Sequence, residues 1–149
     1  MRALSLIAKL GAEKLLISYK VKQMLSMKIL LAIGLGSFIG GVSRYLITLL
    51  IQNKFLSTFP YGTLAVNIIG CFLIGIVYGL SDRGNVSEGW RLFLATGILG
   101  GFTTFSSFSN DTVSLIRDAQ YWQAFSYVGL SIIIGLAATF TGISLIKYL

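Results

Sequence analysis

The chain has 149 residues, of which 55% are hydrophobic and only 11% are charged, and its mean hydropathy is +0.82. A soluble domain carries about 25% charged residues, so this chain lacks the polar surface that a water-soluble fold needs. Its net charge of +7 comes from 12 Lys and Arg residues against 5 Asp and Glu. Because these cations lie near the ends of apolar runs, we expect lipid headgroups, and not nucleic acid, as their partners. The composition therefore predicts a protein of the lipid bilayer.

Residue types that serve catalysis or metal binding are scarce. The chain has no histidine and one cysteine, Cys71. The commonest general base is therefore absent, and an intrachain disulfide or a multi-thiolate metal site is excluded. Asp111 with nearby Ser and Thr residues makes no convincing catalytic site, so we predict that the protein is not an enzyme.

Residues 1–26 differ from the rest of the chain. Five cations surround the one acid of this stretch, Glu13: they are Arg2, Lys9, Lys14, Lys20 and Lys22. One interpretation is a basic helix that lies on the bilayer surface. The other is a wrongly assigned start, with translation beginning at Met24 or Met27. We therefore divide the chain into a basic extension, 1–26, and a membrane domain, 27–149.

The membrane domain contains four long apolar segments. They run from about Ile29 to Ile51, Tyr61 to Leu80, Trp90 to Ile116 and Trp122 to Ile146. Each has about 20 residues or more, enough for a helix to cross a hydrocarbon core of about 30 Å. Short links between them predict an up-down-up-down bundle of four transmembrane helices in an all-α fold.

Charges at the segment ends give only a weak orientation signal. The side where the first segment starts has four flanking cations: Lys28, Arg83, Arg91 and Lys147. The other side has Lys54 and Arg117. Such a small bias allows insertion in both orientations and pairing as an antiparallel dimer. The five cations of the extension would favour a cytoplasmic N-terminus, and the chain would then need an inverted partner.

Two polar residues lie inside the first two segments. Arg44 is about 15 residues into the first segment, which favours an interior or vestibule role over a side chain that snorkels to the interface. Asn67 lies among apolar residues of the second segment, where its amide either meets an anion or forms an interhelical hydrogen bond. Glycines in both segments predict close helix packing; these are Gly34, Gly36, Gly40, Gly41, Gly70, Gly75 and Gly79.

The third segment carries the most informative pattern, Gly100-Gly101-Phe102-Thr103-Thr104 followed by Phe105-Ser106-Ser107-Phe108. Two glycines and two threonines in mid-span predict a broken helix, which frees carbonyls that coordinate a cation in other transporters. Phe105 and Phe108 present ring edges that meet an anion favourably, and neighbouring hydroxyls add donors. The alternative is that the rings pack in the core and the hydroxyls bond helical carbonyls.

The fourth segment contributes two polar residues, Tyr127 and Ser131, four positions apart and therefore on one helix face. They either extend a polar track or make ordinary interhelical contacts. Asp111 is the one acid in the interior of a predicted span, and we expect it close to the end of the second half-helix, near a vestibule.

Three motifs resemble the Fluc/CrcB family of small fluoride channels. They are Gly40-Gly41-Val42-Ser43-Arg44-Tyr45, residues 62–72 (GTLAVNIIGCF) and residues 100–109 (GGFTTFSSFS). The resemblance covers Met27 to Leu149. It implies an antiparallel, dual-topology dimer with two fluoride pores at the subunit interface, in a bacterial plasma membrane.

The resemblance also implies roles for individual residues. Phe105, Phe108 and Asn67 would line the pore, with Ser106, Ser107, Tyr127 and Ser131 at polar-track positions. Arg44 would stand in the vestibule, and the carbonyls of Gly100 and Thr103 would hold a structural Na⁺ at the dimer centre. The family usually has a glutamate where this chain has Asp111.

The function implied is passive fluoride export, which lowers cytoplasmic fluoride and protects the cell. An obligate heterodimer with an inverted paralogous subunit is the first alternative. A small multidrug exporter is a weaker one, because that mechanism needs a carboxylate inside the first segment, where this chain has Arg44. A scaffold subunit that passes no ion is a third alternative.

Overall fold

The computed structural model describes residues 2–24, 26–55 and 57–149, and within these ranges it does not describe the side chains of residues 2–8 and 22–24. Every regular element in the described ranges is a helix. The elements in chain order are α1 (Arg2–Met24), α2 (Met27–Lys54), α3 (Tyr61–Asp82), α4 (Glu88–Arg91), a π-helix (Leu92–Leu99), α5 (Gly100–Phe102), α6 (Phe105–Arg117) and α7 (Tyr121–Tyr148).

Four helical stretches are long and apolar enough to cross a membrane, which confirms the number predicted from the sequence. They are Met27–Lys54, Tyr61–Asp82, Glu88–Arg117 and Tyr121–Tyr148. Each predicted segment lies inside one of them, and the helices extend a few residues beyond the apolar runs because helical hydrogen bonding continues into the polar ends. The protein is therefore an all-helical, multi-pass membrane protein.

The third candidate span departs from a regular α-helix in two places. Its first half, residues 88–102, contains the π-helix Leu92–Leu99, which no sequence pattern indicated. The backbone then leaves the helix at Thr103 (ψ 155°) and Thr104 (φ −150°, ψ 114°), and α6 restarts at Phe105. The glycine pair remains helical, so the interruption falls on the two β-branched threonines that follow it, which favour extended backbone.

Glycines allow close backbone contact between two pairs of helices: α2 with the third span, and α3 with α7. Gly36 and Gly40 of α2 face the backbone of Ile98, and a Cβ at Gly40 would overlap the Ile98 carbonyl oxygen. In the other pair, Gly75 of α3 faces the backbone of Thr139 on α7. The prediction of close packing is confirmed at these positions, and α2 packs along the first half of the third span while α3 packs along α7.

The remaining glycines of α2 behave differently. A Cβ built on Gly34 or Gly41 would meet no heavy atom within 4 Å among the described residues. The close packing predicted for Gly34 is therefore wrong within one protomer, whereas the backbone N of Gly41 lies 3.1 Å from where a Cβ on Gly101 would be. Gly34 is exposed, so lipid or a second protomer would be its neighbour.

Contacts at the two ends of the bundle confirm the alternating helix directions. At one end, the Thr58 hydroxyl in the α2–α3 link donates to Gln120 Oε1 (2.8 Å) in the α6–α7 link. At the other end, Arg83 donates to the Lys147 carbonyl (3.1 Å). The α2–α3 link therefore lies beside the α6–α7 link, and the end of α3 lies beside the end of α7, as an up-down-up-down arrangement requires.

A single protomer leaves much apolar surface uncovered. Tyr127 and Val66 are its largest fully buried side chains, whereas Phe38, Leu50 and Phe140 are each exposed by 70% or more. Apolar patches of this kind mark contact with lipid or another protein. The extension, predicted as residues 1–26, forms the helix α1, whose described side chains, residues 9–21, are all exposed.

Candidate functional site

The interruption between α5 and α6 is held by the side chain of Asn67 on α3. Asn67 Oδ1 accepts from the Thr104 backbone N–H (2.8 Å), and Asn67 Nδ2 donates to the Thr104 carbonyl (3.2 Å). One amide therefore satisfies both backbone groups of a residue that has left the helix, which offsets the cost of irregular backbone in a partly buried place. The interhelical hydrogen bond, one of the two roles predicted for Asn67, is present.

Thr104 caps the helix that follows the interruption. Its Oγ1 accepts from the Ser107 backbone N–H (3.1 Å), the usual arrangement for a threonine at a helix N-cap. The same oxygen lies 3.1 Å from the hydroxyls of Ser106 and Ser107. Ser106 and Ser107, two of the three serines of the predicted polar track, therefore join a hydroxyl cluster around Thr104. The sequence reasoning did not assign Thr104 to the site, although a threonine three residues before a serine at a helix start is a recognisable cap.

These contacts leave two backbone carbonyls without their α-helical donors. In a continuous helix, the Gly100 carbonyl would accept from Thr104 N–H and the Thr103 carbonyl from Ser107 N–H. Both donors instead bond side-chain oxygens, Asn67 Oδ1 and Thr104 Oγ1. The two carbonyls that the resemblance assigned to a cation are thus among those that the interruption releases.

Arg44 reaches a third carbonyl at the same place. Its Nε donates to the Gly101 carbonyl (3.1 Å), and the contact is partly buried. In a continuous helix this carbonyl would accept from Phe105 N–H. A guanidinium on the C-terminal carbonyl of a helix is also electrostatically favourable, because the helix dipole is negative there. Arg44 therefore lies against the interruption in the third span.

An open groove of about 330 Å³ runs beside the interruption. It gathers five of the predicted site residues: Asn67, Thr103, Phe105, Phe108 and Ser131. Cys71 also lines it, although the sequence reasoning treated that residue as a small packing side chain. Polar groups from α3 and α7 thus face the two phenylalanines of α6 across one space.

The two phenylalanines differ in their surroundings. Their ring centroids are 5.6 Å apart, as residues three positions apart on a helix require. Phe105 is 79% exposed in the protomer, whereas Phe108 packs against the ring of Tyr127 at 5.3 Å. One ring is therefore fixed by the fourth span, and the other projects away from the protomer.

Ser131 Oγ is buried without a hydrogen-bond partner among the described residues. A buried hydroxyl in this condition costs free energy unless water or a ligand contacts it. Ser131 lines the groove, although its Oγ itself is shielded from solvent in the protomer.

Tyr127 lies behind the groove and does not line it. It is fully buried, and its hydroxyl donates to Asp111 Oδ2 at 3.4 Å. Asp111 lies in the middle of α6, not near its end as we had expected. Tyr127 therefore contacts the groove only through Phe108, and its predicted place on a polar track would require a change of side-chain position.

Comparison with known proteins places the chain in a family. Residues 31–143 match the family model described as "CrcB-like protein, Camphor Resistance (CrcB)". A protein of Flavobacterium psychrophilum named "Fluoride-specific ion channel FluC" is 46% identical over 124 residues, which cover 83% of this chain and all of the relative.

Two more relatives carry the same name. The Phocaeicola vulgatus protein is 44% identical over 117 residues, covering 78% of this chain and 97% of the relative. The Caulobacter vibrioides protein is 44% identical over 116 residues, covering 76% of this chain and 91% of the relative. Because the family model spans most of the chain and these relatives match nearly end to end, this chain belongs to the CrcB family.

Proposed function

We propose that the protein is a fluoride-selective channel that lets fluoride leave the cell passively. Family membership supports the activity, because relatives of 44–46% identity are named fluoride-specific ion channels. The observation that carries the proposal is the groove beside the interruption in the third span. It combines two phenyl rings, an amide and a hydroxyl that has no partner among the described residues, in a chain that is otherwise strongly apolar.

The donors in this groove suit a small, strongly hydrated anion. Phenyl ring edges, an amide N–H and a serine hydroxyl are each weak donors, so together they replace water without holding the ion too tightly to leave. Asn67 Nδ2 has two protons and gives one to Thr104, so the second is available to an ion. In this proposal Phe105, Phe108, Asn67 and Ser131 contact fluoride directly.

The remaining site residues have supporting roles. Ser106 and Ser107 belong to the hydroxyl cluster around Thr104 at the start of α6, and they extend the row of donors. Tyr127 fixes the ring of Phe108 from behind. Arg44 attracts the anion toward the vestibule while its Nε stays on the Gly101 carbonyl.

The proposed channel is an antiparallel dimer in which each protomer contributes half of each pore. The exposure of Phe105, 79% in one protomer, supports this arrangement because a second copy would cover the ring. The interruption would then lie near the middle of the membrane, where irregular backbone is tolerated only if it is buried or lines a cavity. We place the dimer in the bacterial plasma membrane.

A structural Na⁺ at the dimer centre fits the released carbonyls. Oxygen ligands suit a hard cation, and Gly100 and Thr103 have carbonyls whose helical donors are engaged elsewhere. Among the described residues, no group of three or more His, Cys, Asp or Glu side chains is close enough to hold a metal. Backbone oxygens of the two protomers would therefore hold the ion and brace the interruption.

Fluoride efflux from liposomes tests the function. The purified chain is reconstituted alone with internal potassium fluoride, and efflux is followed with a fluoride electrode after valinomycin is added, with potassium chloride as the matched control. We expect rapid efflux of fluoride and none of chloride. Folded, dimeric protein that passes neither ion would contradict the homodimeric channel and favour the heterodimer with a paralogous subunit.

A further inference from the structure

A basic cavity lies at the end of the bundle, between Lys20 of α1 and the starts of α2 and α4. Its volume is about 700 Å³. The cations Lys20 and Arg91 line it together with the hydroxyl residues Ser26 and Ser87. One acid, Glu88, also lines it.

An apolar cavity of about 370 Å³ adjoins the basic one. Ile29, Ser87 and Gly89 line both cavities, so the two spaces are immediate neighbours. The apolar cavity adds Ala32, Phe93 and Trp90, with Lys28 at its edge. A ligand that filled both would need a polar anionic part joined to an apolar part.

The charge balance of the combined site is positive. Lys20, Lys28 and Arg91 line it against one acid, Glu88. Glu88 contacts Arg91 only at 4.0 Å, and its side chain is 63% exposed. A loose, exposed pair of this kind contributes little. At least two cations therefore remain for an anionic ligand.

The position of the site favours a lipid. It lies at the ends of two candidate spans, Met27–Lys54 and Glu88–Arg117, where lipid headgroups begin. Trp90 is 61% exposed there, as expected for an aromatic side chain at the membrane interface. Free phosphate would match the basic cavity alone, whereas a phospholipid also matches the apolar cavity.

We propose that the two cavities form a binding site for one anionic phospholipid. The headgroup phosphate contacts Lys20, Lys28 and Arg91, and the start of an acyl chain lies against Ile29, Ala32 and Phe93. Lys20 belongs to α1, so the bound lipid connects the basic extension to the four-span domain. The proposal does not depend on fluoride conduction.

Quenching of tryptophan fluorescence by brominated lipids tests the site. The chain has two tryptophans, and Trp122 lies at the opposite end of the bundle, beside Gln120 and Gln123. Trp122→Phe thus leaves Trp90 as the reporter, and Trp90→Phe leaves Trp122 as the matched control. Each variant is placed in phosphatidylcholine vesicles that contain brominated phosphatidylglycerol or brominated phosphatidylcholine.

We expect brominated phosphatidylglycerol to quench Trp90 more strongly than brominated phosphatidylcholine does, with a smaller difference at Trp122. In the Trp122→Phe background, Lys20→Gln and Lys28→Gln should each lower the relative affinity for the anionic lipid by about fivefold. Lys54→Gln and Arg117→Gln, at the other end of the bundle, should leave quenching of Trp90 unchanged. Fluoride efflux should persist in the Lys20→Gln and Lys28→Gln variants.

Three results would overturn the proposal. Equal quenching of Trp90 by the two lipids would remove the preference for an anionic headgroup. If the preference for the anionic lipid persisted in both the Lys20→Gln and the Lys28→Gln variants, these side chains would not belong to the site. A preference abolished by inorganic phosphate, but not by sulfate at equal ionic strength, would identify free phosphate and not a lipid as the ligand.

Discussion

The third span has two structural features that are stabilised in opposite ways: a close contact with α2 and an interruption of the helix. The first, the glycine seam, is formed by Gly36 and Gly40 on α2 against the backbone around Gly97 and Ile98. The second, the capped interruption, consists of Thr103 and Thr104 with their partners Asn67 and Ser107. The seam depends on glycines, which have no side chain, whereas the interruption depends on hydrogen bonds from particular polar side chains.

The difference shows how one helix can be both fixed and interrupted. The seam holds the first half of the span by steric fit, which tolerates no added atom but needs no specific chemistry. The interruption is tolerated because each freed backbone group of Thr104 finds a side-chain partner. Substitutions at the seam should therefore affect folding, and substitutions at the interruption should affect local backbone order and the groove.

The largest effect is expected for Gly40→Ala. Its Cβ would overlap the Ile98 carbonyl oxygen, and backbone on both sides leaves little room to relax, so we expect a loss of about 3 kcal/mol or more in unfolding free energy. Thermal unfolding in detergent would measure it. Gly41→Ala, the adjacent position with no atom within 4 Å, is the control, and equal destabilisation of the two variants would refute the seam.

The second-largest loss of stability is expected for Asn67→Ala. It leaves both backbone groups of Thr104 without partners, at an expected cost of about 2–4 kcal/mol. Hydrogen exchange should accelerate at the Thr104 amide far more than at amides of α7. Asn85→Ala removes the same type of side chain from an exposed link and should change neither quantity. Unchanged protection of Thr104 in Asn67→Ala would mean that the amide does not hold the interruption.

Thr104→Val should have a smaller, local effect. It removes the cap of Ser107 N–H at nearly constant side-chain volume, which costs about 1 kcal/mol. Thr104→Ser retains the hydroxyl and should restore most of the lost stability. The comparison is made by unfolding and by hydrogen exchange at Ser107, and a serine variant as unstable as the valine variant would assign the effect to packing instead of capping.

The smallest effect on stability is expected for Ser131→Ala. Its hydroxyl has no partner among the described residues, so its removal should change the unfolding free energy by less than about 0.5 kcal/mol. Fluoride efflux should nevertheless fall, because the groove loses a donor. Ser114→Ala, on the exposed side of α6, should alter neither. Normal fluoride efflux through the Ser131→Ala variant would show that this hydroxyl does not contact the ion.

The sequence predicts the spans well and the details of the third one less well. Apolar runs of sufficient length identify the four spans because the thickness of the bilayer sets the length of a crossing helix. The motif at residues 100–104 locates the interruption, but the glycines remain helical and the threonines leave the helix. The π-helix Leu92–Leu99 packs against α2, and no local sequence pattern signals it.

The sequence indicates which residues belong to the candidate site better than it indicates how they contact one another. The motif around Phe105 and Phe108 identifies the rings because it is long and unusual. The pairing of Asn67 with Thr104 joins residues 37 positions apart, and hydrophobic patterning carries no information about such a pair. Helical spacing leaves open whether Tyr127 joins a polar track, and only the family resemblance implies that it does. Its burial and its contact with Asp111 depend on how α6 and α7 pack.

The central claim is that fluoride passes through the groove beside the interruption, and a matched pair of phenylalanine substitutions tests it most directly. Phe108→Ile removes a ring edge from the groove, whereas Phe125→Ile removes a 72% exposed ring on α7 that stacks on Trp122. Both variants are reconstituted at equal density and fluoride efflux is followed by electrode. We expect Phe108→Ile to slow efflux by about tenfold or more and Phe125→Ile to match the unsubstituted protein. Equal efflux from both variants, with both proteins folded, would show that the ion takes another path.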